Sequence, residues 1–232
     1  MGDVELFLGL SAGHGGRDKG TVAGAEHGII ERDYCSDFVA DLEALARVNR
    51  SLGPPQTALN VEPIRLNNVG ETIPPKLRGG RALARGCSVV FAVHVNALPG
   101  TRASGLHAFY DPKSDATRQI AEAIARATPA PLRRRFLQGR QKNGRYVAGG
   151  CEPALASLGW SRAASLLADY RPTPTVLVEL YYATNPDDCR AAQNPAIRLG
   201  LLSAVLAGVA EAARIIPPQS SRSARRASGA RQ

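Results

Sequence analysis

The sequence predicts an α/β protein built on an open, mostly parallel (mixed), twisted sheet with helices on both faces. Short apolar runs alternate with amphipathic segments along the chain. The runs have the continuous hydrophobicity of strands that are buried on both faces. A chain of 232 residues with 44% hydrophobic side chains can also form one substantial core. These three observations favour a single globular domain.

Four apolar runs are the predicted strands. The first follows the N-terminus and ends at small residues, which suits a buried strand. The last follows the proline-rich stretch "RPTPT", and these prolines exclude a helix that continues into the run. The predicted strands are residues 4–10, 88–96, 105–110 and 175–182.

The predicted helices lie between these strands. The first begins at Glu31, in "ERDYCSDFVADLEALARV", where apolar residues recur at spacings of four, four and three. No uninterrupted apolar stretch approaches the roughly 20 residues of a membrane span, so no transmembrane segment is predicted. Further helices are predicted at 115–127, about 154–168 and 195–215.

Two segments lack such periodicity. Residues 129–153 are rich in Arg, Gly and Pro and are expected to form a long loop that is functional or mobile. Residues 217–232 are rich in Ser and Arg, contain no acidic residue and are expected to be a disordered basic tail. The predicted catalytic domain therefore covers residues 1–216. The tail is either a solvated end or an electrostatic anchor for an anionic surface.

The chain is basic, with a formal net charge of +9. Such a charge attracts polyanions through its summed field. Aromatic residues make up only 5% of the chain, and no basic stripe alternates with stacking side chains. No specific nucleic-acid partner is therefore predicted.

Three residues with possible chemical roles lie near strand ends, where open α/β sheets bind ligands. His14 follows the first strand, and glycines at 13, 15 and 16 either keep its imidazole uncovered for a metal or form a plain turn. His94 is either a ligand or a structural histidine of its strand. Glu179 lies within an apolar strand, where an ionised carboxylate needs a partner.

A zinc hydrolase needs three protein ligands and an open fourth position. Two imidazoles and one carboxylate leave the ion a positive charge that can acidify a bound water. Two acids of the same segment are candidates for the carboxylate. Glu31 opens the first helix, where the helix dipole alone would favour it, and Glu26 lies five residues earlier. The residues by themselves leave this choice open.

Four motifs occur in a characteristic order: "GHGGRDKGTVAG", "ERDY", "VHVNA" and "LVELYYATN". In order and spacing they resemble the zinc-dependent N-acetylmuramoyl-L-alanine amidases of the amidase-3 type, over about residues 5–215. Ala92 replaces the family's serine before the histidine of the third motif. Tyr181 and Tyr182 replace the glycine and phenylalanine that follow the family's catalytic glutamate.

The resemblance implies a single zinc ion held by His14, Glu31 and His94. Glu31 is favoured over Glu26 because its position and its "ERD" context match the family. Glu179 is implied as the catalytic acid/base. Supporting or substrate-side roles are implied for Asn96, Asn185, Arg65 and Arg78.

The implied activity is hydrolysis of the amide between N-acetylmuramic acid and L-alanine in peptidoglycan, causing cell-wall degradation or lysis. The alternatives are a zinc peptidase or deacylase for another amide, and a non-catalytic basic protein that binds polyanions. The enzyme is expected to be a monomer, with peptidoglycan and an anionic envelope surface as partners. No signal peptide is visible, which favours a phage endolysin released through a holin pore over an autolysin or a secreted effector.

Overall fold

A computed structural model describes residues 5–52, 60–98, 103–133, 151–153 and 161–217. The described strands are β1 (Glu5–Ala12), β2 (Asn60–Arg65), β3 (Val89–Asn96), β4 (His107–Tyr110), β5 (Cys151–Pro153) and β6 (Thr175–Tyr182). The described α-helices are α1 (Glu31–Leu52), α2 (Pro75–Ala84), α3 (Asp115–Ala127), α4 (Ser161–Asp169), α5 (Pro186–Gln193) and α6 (Pro195–Ile215). Two 3-10 turns cover Ala25–His27 and Ala130–Leu132.

The strands form one open sheet in the order β2-β1-β3-β6-β4-β5. Strands β2, β1, β3 and β6 are mutually parallel. Strand β4 runs antiparallel to β6 and parallel to β5. The predicted mixed, mostly parallel sheet is therefore confirmed, and the carboxyl ends of β1 and β3 are neighbours.

Helices cover both faces, because alternate residues of each strand face opposite ways. In β3, Phe91 and Val93 pack into the larger core, to which α1, α3 and α6 also contribute. Val90 and Ala92 face the smaller core, which contains residues of α2 and α4. The prediction of helices on both faces is confirmed.

The predicted bounds of β6, α3 and α6 agree with the structure. Strand β1 extends to Ala12, and α4 begins at Ser161, whereas residues 154–160 lie outside the described residues. Of the predicted loop 129–153, residues 134–150 lie outside them, and residues 151–153 form the edge strand β5. The predicted tail also lies outside them, apart from Pro217.

Several elements were not predicted. Strand β2 contains Pro63 and charged side chains, so it lacks the apolar run of a central strand. A proline is tolerated there because β2 is an edge strand. Helix α2 contains two glycines, and α5 has only eight residues, so neither shows a clear helical period.

By length and composition, α6 could cross a membrane, with a mean hydropathy of 1.6. A core helix passes the same test, so the expected absence of a transmembrane segment is not contradicted and stays a prediction. The apolarity of α6 is explained by packing, because Leu201, Val205 and Val209 are buried in the larger core. Gly208 lets α3 approach, since a Cβ there would lie 2.5 Å from Cγ1 of Ile124. The helix has the contacts of a core helix in an α/β domain.

Candidate active site

Residues 13–20, called loop 13–20 below, begin directly after β1 and carry His14. The φ of His14 is +62°, a left-handed conformation that is uncommon for a residue with a side chain. Asn67 Nδ2 donates to the carbonyls of Ala12 and His14, both at 3.1 Å. Arg78 Nη2 donates to the His14 carbonyl at 2.9 Å. These buried donors hold the strained backbone in place.

Glu31 is the first residue of α1, and its buried carboxylate lies between two imidazoles. Its Oε2 is 3.2 Å from His14 Nε2, and its Oε1 is 3.0 Å from His94 Nδ1. The backbone amides of Thr21 and Val95 also donate to this carboxylate. The three potential ligand atoms lie within 4.8 Å of one another. Two imidazoles and a carboxylate are a donor set that can bind a metal ion.

The contacts within the cluster shift the pKa values of His14 and Glu31 in opposite directions. Burial alone would lower the pKa of His14, but the hydrogen bond and charge of Glu31, followed by those of Asp18, raise it to about 9. Burial alone would raise the pKa of Glu31, but His14 and His94 hold it well below its usual range. The carboxylate therefore stays ionised and keeps a negative charge between the imidazoles.

Asp18 orients the first imidazole and was not singled out from the sequence. Its Oδ2 lies 2.7 Å from His14 Nδ1, and its Oδ1 accepts a hydrogen bond from the amide of Gly20 at 3.1 Å. A carboxylate on one ring nitrogen determines which nitrogen faces a metal. Here it leaves Nε2 of His14 directed at Glu31.

Glycines leave room around the cluster, although not all of those predicted to do so. A Cβ on Gly13 would lie 2.7 Å from His94 Nδ1, and one on Gly20 would lie 2.5 Å from Glu31 Oε2. Cβ atoms on Gly15 and Gly16 would instead collide with Glu71 and Thr72. The latter glycines therefore admit the neighbouring loop 66–72 rather than exposing the His14 imidazole.

Glu179 lies beside the cluster in the sheet. It is in register with His94 of β3 on one side and with His107 of β4 on the other. Its buried Oε2 has no hydrogen-bond partner among the described residues. Burial, followed by the charge of Glu31, raises the pKa of Glu179 to about 8. A carboxyl group of this kind can hold and release a proton near neutral pH.

Two residues with an implied substrate role act within the protein instead. The guanidinium of Arg78 is buried and donates to the carbonyls of Ile73, Ala12 and His14. Asn185 caps α5 through Oδ1 and donates from Nδ2 to the Ala103 carbonyl at 3.0 Å. Because their polar atoms are already bonded within the protein, these contacts fit the supporting alternative for both residues, and a substrate-side role stays a prediction.

The structure does not bring every candidate into the cluster. Arg65 lies on the edge strand β2, and its Nε contacts the Glu43 carboxylate of α1 at 3.1 Å. Asn96 ends β3, and its carbonyl accepts a hydrogen bond from the Ala183 amide. Glu26 is exposed in a 3-10 turn beside His27, outside the cluster. His107 is a buried sheet residue, with Nδ1 3.1 Å from the Tyr182 hydroxyl.

Asp188 is a further residue that the sequence did not indicate. It is 1% exposed, and its Oδ2 accepts hydrogen bonds from the amides of Gly105 and Tyr182 at 2.8 and 2.9 Å. Its Oδ1 accepts one from the Ser104 hydroxyl at 2.6 Å. Asp188 thus ties α5 to the end of β6, the strand of Glu179. Its only sequence signal is its place in the first turn of a helix after Asn-Pro.

Comparison with solved structures finds proteins of similar fold. The catalytic domain of CwlV from Bacillus (Paenibacillus) polymyxa var. colistinus is 17% identical, with a TM-score of 0.64 over 89% of this chain and 97% of that chain. An N-acetylmuramoyl-L-alanine amidase from Clostridium difficile 630 is 18% identical, with a TM-score of 0.65 and coverages of 88% and 95%. The N-acetylmuramyl-L-alanine amidase Ami1 from Mycobacterium smegmatis is 17% identical, with a TM-score of 0.65 over 92% of this chain and 99% of that chain.

These structural similarities show the fold. No curated protein sequence matches the chain significantly. The family model Amidase_3, described as N-acetylmuramoyl-L-alanine amidase, matches residues 9–211. This match includes all three residues of the cluster and Glu179. The chain therefore belongs to the N-acetylmuramoyl-L-alanine amidase family, whose members are hydrolases that act on peptidoglycan.

Proposed function

We propose that the protein is a zinc-dependent amidase, in which His14, Glu31 and His94 hold one zinc ion and Glu179 is the catalytic acid/base. One observation carries this assignment. Three donors from β3, α1 and the loop after β1 converge within 4.8 Å, and Glu179 lies in register with one of them. Within the described residues, no other group of three His, Cys or acidic side chains meets in this way.

The donor set suits zinc, because His₂Glu leaves a fourth coordination position open. Bound zinc would polarise the substrate carbonyl and lower the pKa of a water molecule. The residues around the site supply the rest. Asp18 holds the His14 ring, and the amides of Thr21 and Val95 hold the Glu31 carboxylate.

Glu179 moves the proton in the proposed reaction. Its carboxylate takes a proton from the attacking water as the new carbon–oxygen bond forms. The same proton then passes to the nitrogen of L-alanine as the carbon–nitrogen bond breaks. The products are the free lactyl carboxylate of the muramic acid and a peptide with a free amino terminus. A pKa of about 8 suits a group that must both accept and donate near neutral pH.

Product analysis tests this function. Purified protein is incubated with cell-wall sacculi and with a defined muropeptide, while bound metal is measured by elemental analysis. We expect one zinc per chain and new amino groups on L-alanine alone. New reducing ends would indicate a glycosidase, and cleavage of another amide would indicate a peptidase or deacylase. Either result would contradict the proposal, as would full activity in protein that contains no metal.

We further propose that the enzyme lyses cells from outside the membrane, with the basic tail 217–232 bound to the anionic envelope. The support is the net charge of +9 and the four arginines of the tail, Arg222, Arg225, Arg226 and Arg231. Release through a holin pore and a monomeric state remain predictions from the sequence. Deletion of residues 217–232 should slow lysis at low salt, where exposed charges are least screened. Equal lysis by both forms would contradict a role for the tail.

A further inference from the structure

Two exposed cations, Arg17 and Lys19, flank Asp18 on the loop that carries His14. Neither forms an ion pair with any described residue. Several other exposed arginines of the described chain pair with a carboxylate, as at Arg47, Arg171, Arg190 and Arg214, whereas Arg85, Arg133 and Arg162 do not. The positive charge of these two side chains is therefore not neutralised by any described residue.

The backbone that carries these cations is held in place from several directions. Gly15 and Asp18 exchange two hydrogen bonds of 3.1 Å, and Gly16 N donates to the Val69 carbonyl at 2.7 Å. The amide of Arg17 donates to Thr72 Oγ1 at 3.0 Å. The two side chains therefore extend from a pre-organised loop, which lowers the entropic cost of binding a ligand.

Helix α1 fixes the other end of the same loop. The amide of Arg32 donates to the Lys19 carbonyl at 3.2 Å, and Arg32 Nη1 donates to the Gly16 carbonyl at 2.8 Å. Both bonds involve main-chain atoms of the loop, as does the bond to Thr72. Replacing the exposed side chains of Arg17 and Lys19 leaves all of these bonds in place.

The neighbouring acids do not neutralise these cations. The Asp18 carboxylate contacts His14 and the Gly20 amide, and the Glu31 carboxylate contacts both imidazoles. An anionic ligand that reaches loop 13–20 therefore meets two positive charges that no described carboxylate pairs. Arginine binds carboxylates with paired hydrogen bonds, and lysine adds a point charge.

We propose that Arg17 and Lys19 bind a carboxylate of the stem peptide, on the leaving-group side of the scissile amide. This inference rests on the proposed function, because the peptide released in that reaction is the part of the substrate that ends in a carboxylate. The pair makes the enzyme selective for substrates that carry this charge within reach of loop 13–20.

The test compares two synthetic N-acetylmuramoyl peptides of the same sequence, one ending in a carboxylate and the other in a carboxamide. At low salt, the enzyme should prefer the carboxylate in kcat/KM by about tenfold, and high salt should reduce this preference. In the double variant Arg17→Gln/Lys19→Gln, the ratio should fall to about one. Lys113→Gln is the matched control, because Lys113 is also exposed and has no ion-pair partner among the described residues but precedes α3. It should retain the full ratio.

A ratio near one in the unmodified enzyme, or an unchanged ratio in the double variant, would overturn the proposal. A loss of rate on both peptides at a constant ratio would show a structural role and would also overturn it. A second arm measures binding to walls with and without phosphate-rich polymers. If the double variant loses only the binding that depends on phosphate, the ligand is that polymer and not the stem peptide. Failure of the enzyme to cleave either peptide would instead contradict the proposed function.

Discussion

Loop 13–20 and the α3–α6 pair are stabilised by different interactions. The loop is held by buried polar bonds from Asn67 and Arg78 to main-chain carbonyls. The α3–α6 pair is held by apolar packing around Ile124 and Val205, with ion pairs only on its exposed rim. Hydrogen bonds are directional and determine where an atom lies, whereas apolar burial is non-directional and mainly supplies stability. Changes in the loop should therefore affect chemistry, and changes in the helix pair should affect stability.

The largest expected effect is at the site that the loop completes. Glu179→Gln keeps the shape of the side chain but cannot take a proton from water. We expect kcat to fall by roughly 10²–10⁴-fold. Zinc content, measured by elemental analysis, should stay at one ion per chain, because Glu179 is not among the proposed ligands. An inactive variant that has also lost its metal would show that this role is wrongly assigned.

Asp18→Asn tests the orienting bond within the loop. The amide is neutral and cannot match the carboxylate on His14 Nδ1. Zinc affinity should fall by roughly 10–100-fold, as is typical when the partner of a liganding histidine is removed. A competition titration with a chelator measures this change. Asp115→Asn is a matched control, since the exposed Asp115 pairs with Arg118 on α3 and contacts neither histidine. Equal affinities in the two variants would contradict the role of Asp18.

Gly208→Ala tests the helix pair. The new Cβ would lie 2.5 Å from Ile124 Cγ1, so α3 and α6 would have to move apart. We expect the free energy of unfolding to fall by about 1–3 kcal/mol, with kcat unchanged in the folded fraction. Urea unfolding and steady-state kinetics measure the two quantities. Ala207→Gly is a control on the same helix for the intrinsic effect of glycine. A large change in kcat for Gly208→Ala would contradict the expectation that the helix pair affects stability but not chemistry.

The smallest effect is expected on the rim of the same helix pair. Arg214 pairs with Glu211 at 2.6 Å and donates to Gln119 Oε1 of α3 at 3.4 Å, but its side chain is exposed and its charge is screened by salt. Arg214→Gln should leave the urea midpoint unchanged within error, at both low and high salt. A clear shift at low salt would show that the exposed ion pairs contribute to the stability of α3–α6.

The sequence predicted the central strands and the long helices because their signals are local. A run such as "TVLVELYY" is apolar whatever its neighbours are, and it forms β6 with the predicted bounds. Strand β2 could not be read in this way, because its side chains are explained only by its place at the sheet edge. For helix α6 the sequence signal is strong but ambiguous, since its composition fits both a membrane span and a core helix. Only the structure shows that Leu201, Val205 and Val209 of this helix are buried in the larger core.

The candidate site was predicted through motifs rather than through geometry. From the residues alone, Glu26 and Glu31 were equivalent, since both lie in one polar segment after β1. The structure separates them, because Glu31 begins α1 and faces the histidines while Glu26 is exposed. Asn67 had no visible signal, Asp188 had only its place in the first turn of a helix, and Asp18 lies in the first motif but was not singled out. Their function depends on the direction of distant carbonyls and amides, which no local pattern encodes.

The sequence by itself determined the central strands and the long helices and which of their faces are apolar, because these properties depend on residues only a few positions apart. The tertiary structure alone decided which polar groups meet. Glu31 and His94 are 63 residues apart and come together because β1 and β3 are neighbours in the sheet, beneath the first turn of α1. The physical reason is that a donor cluster depends on distances of a few ångströms, which are set only when the strands pair and the helices pack.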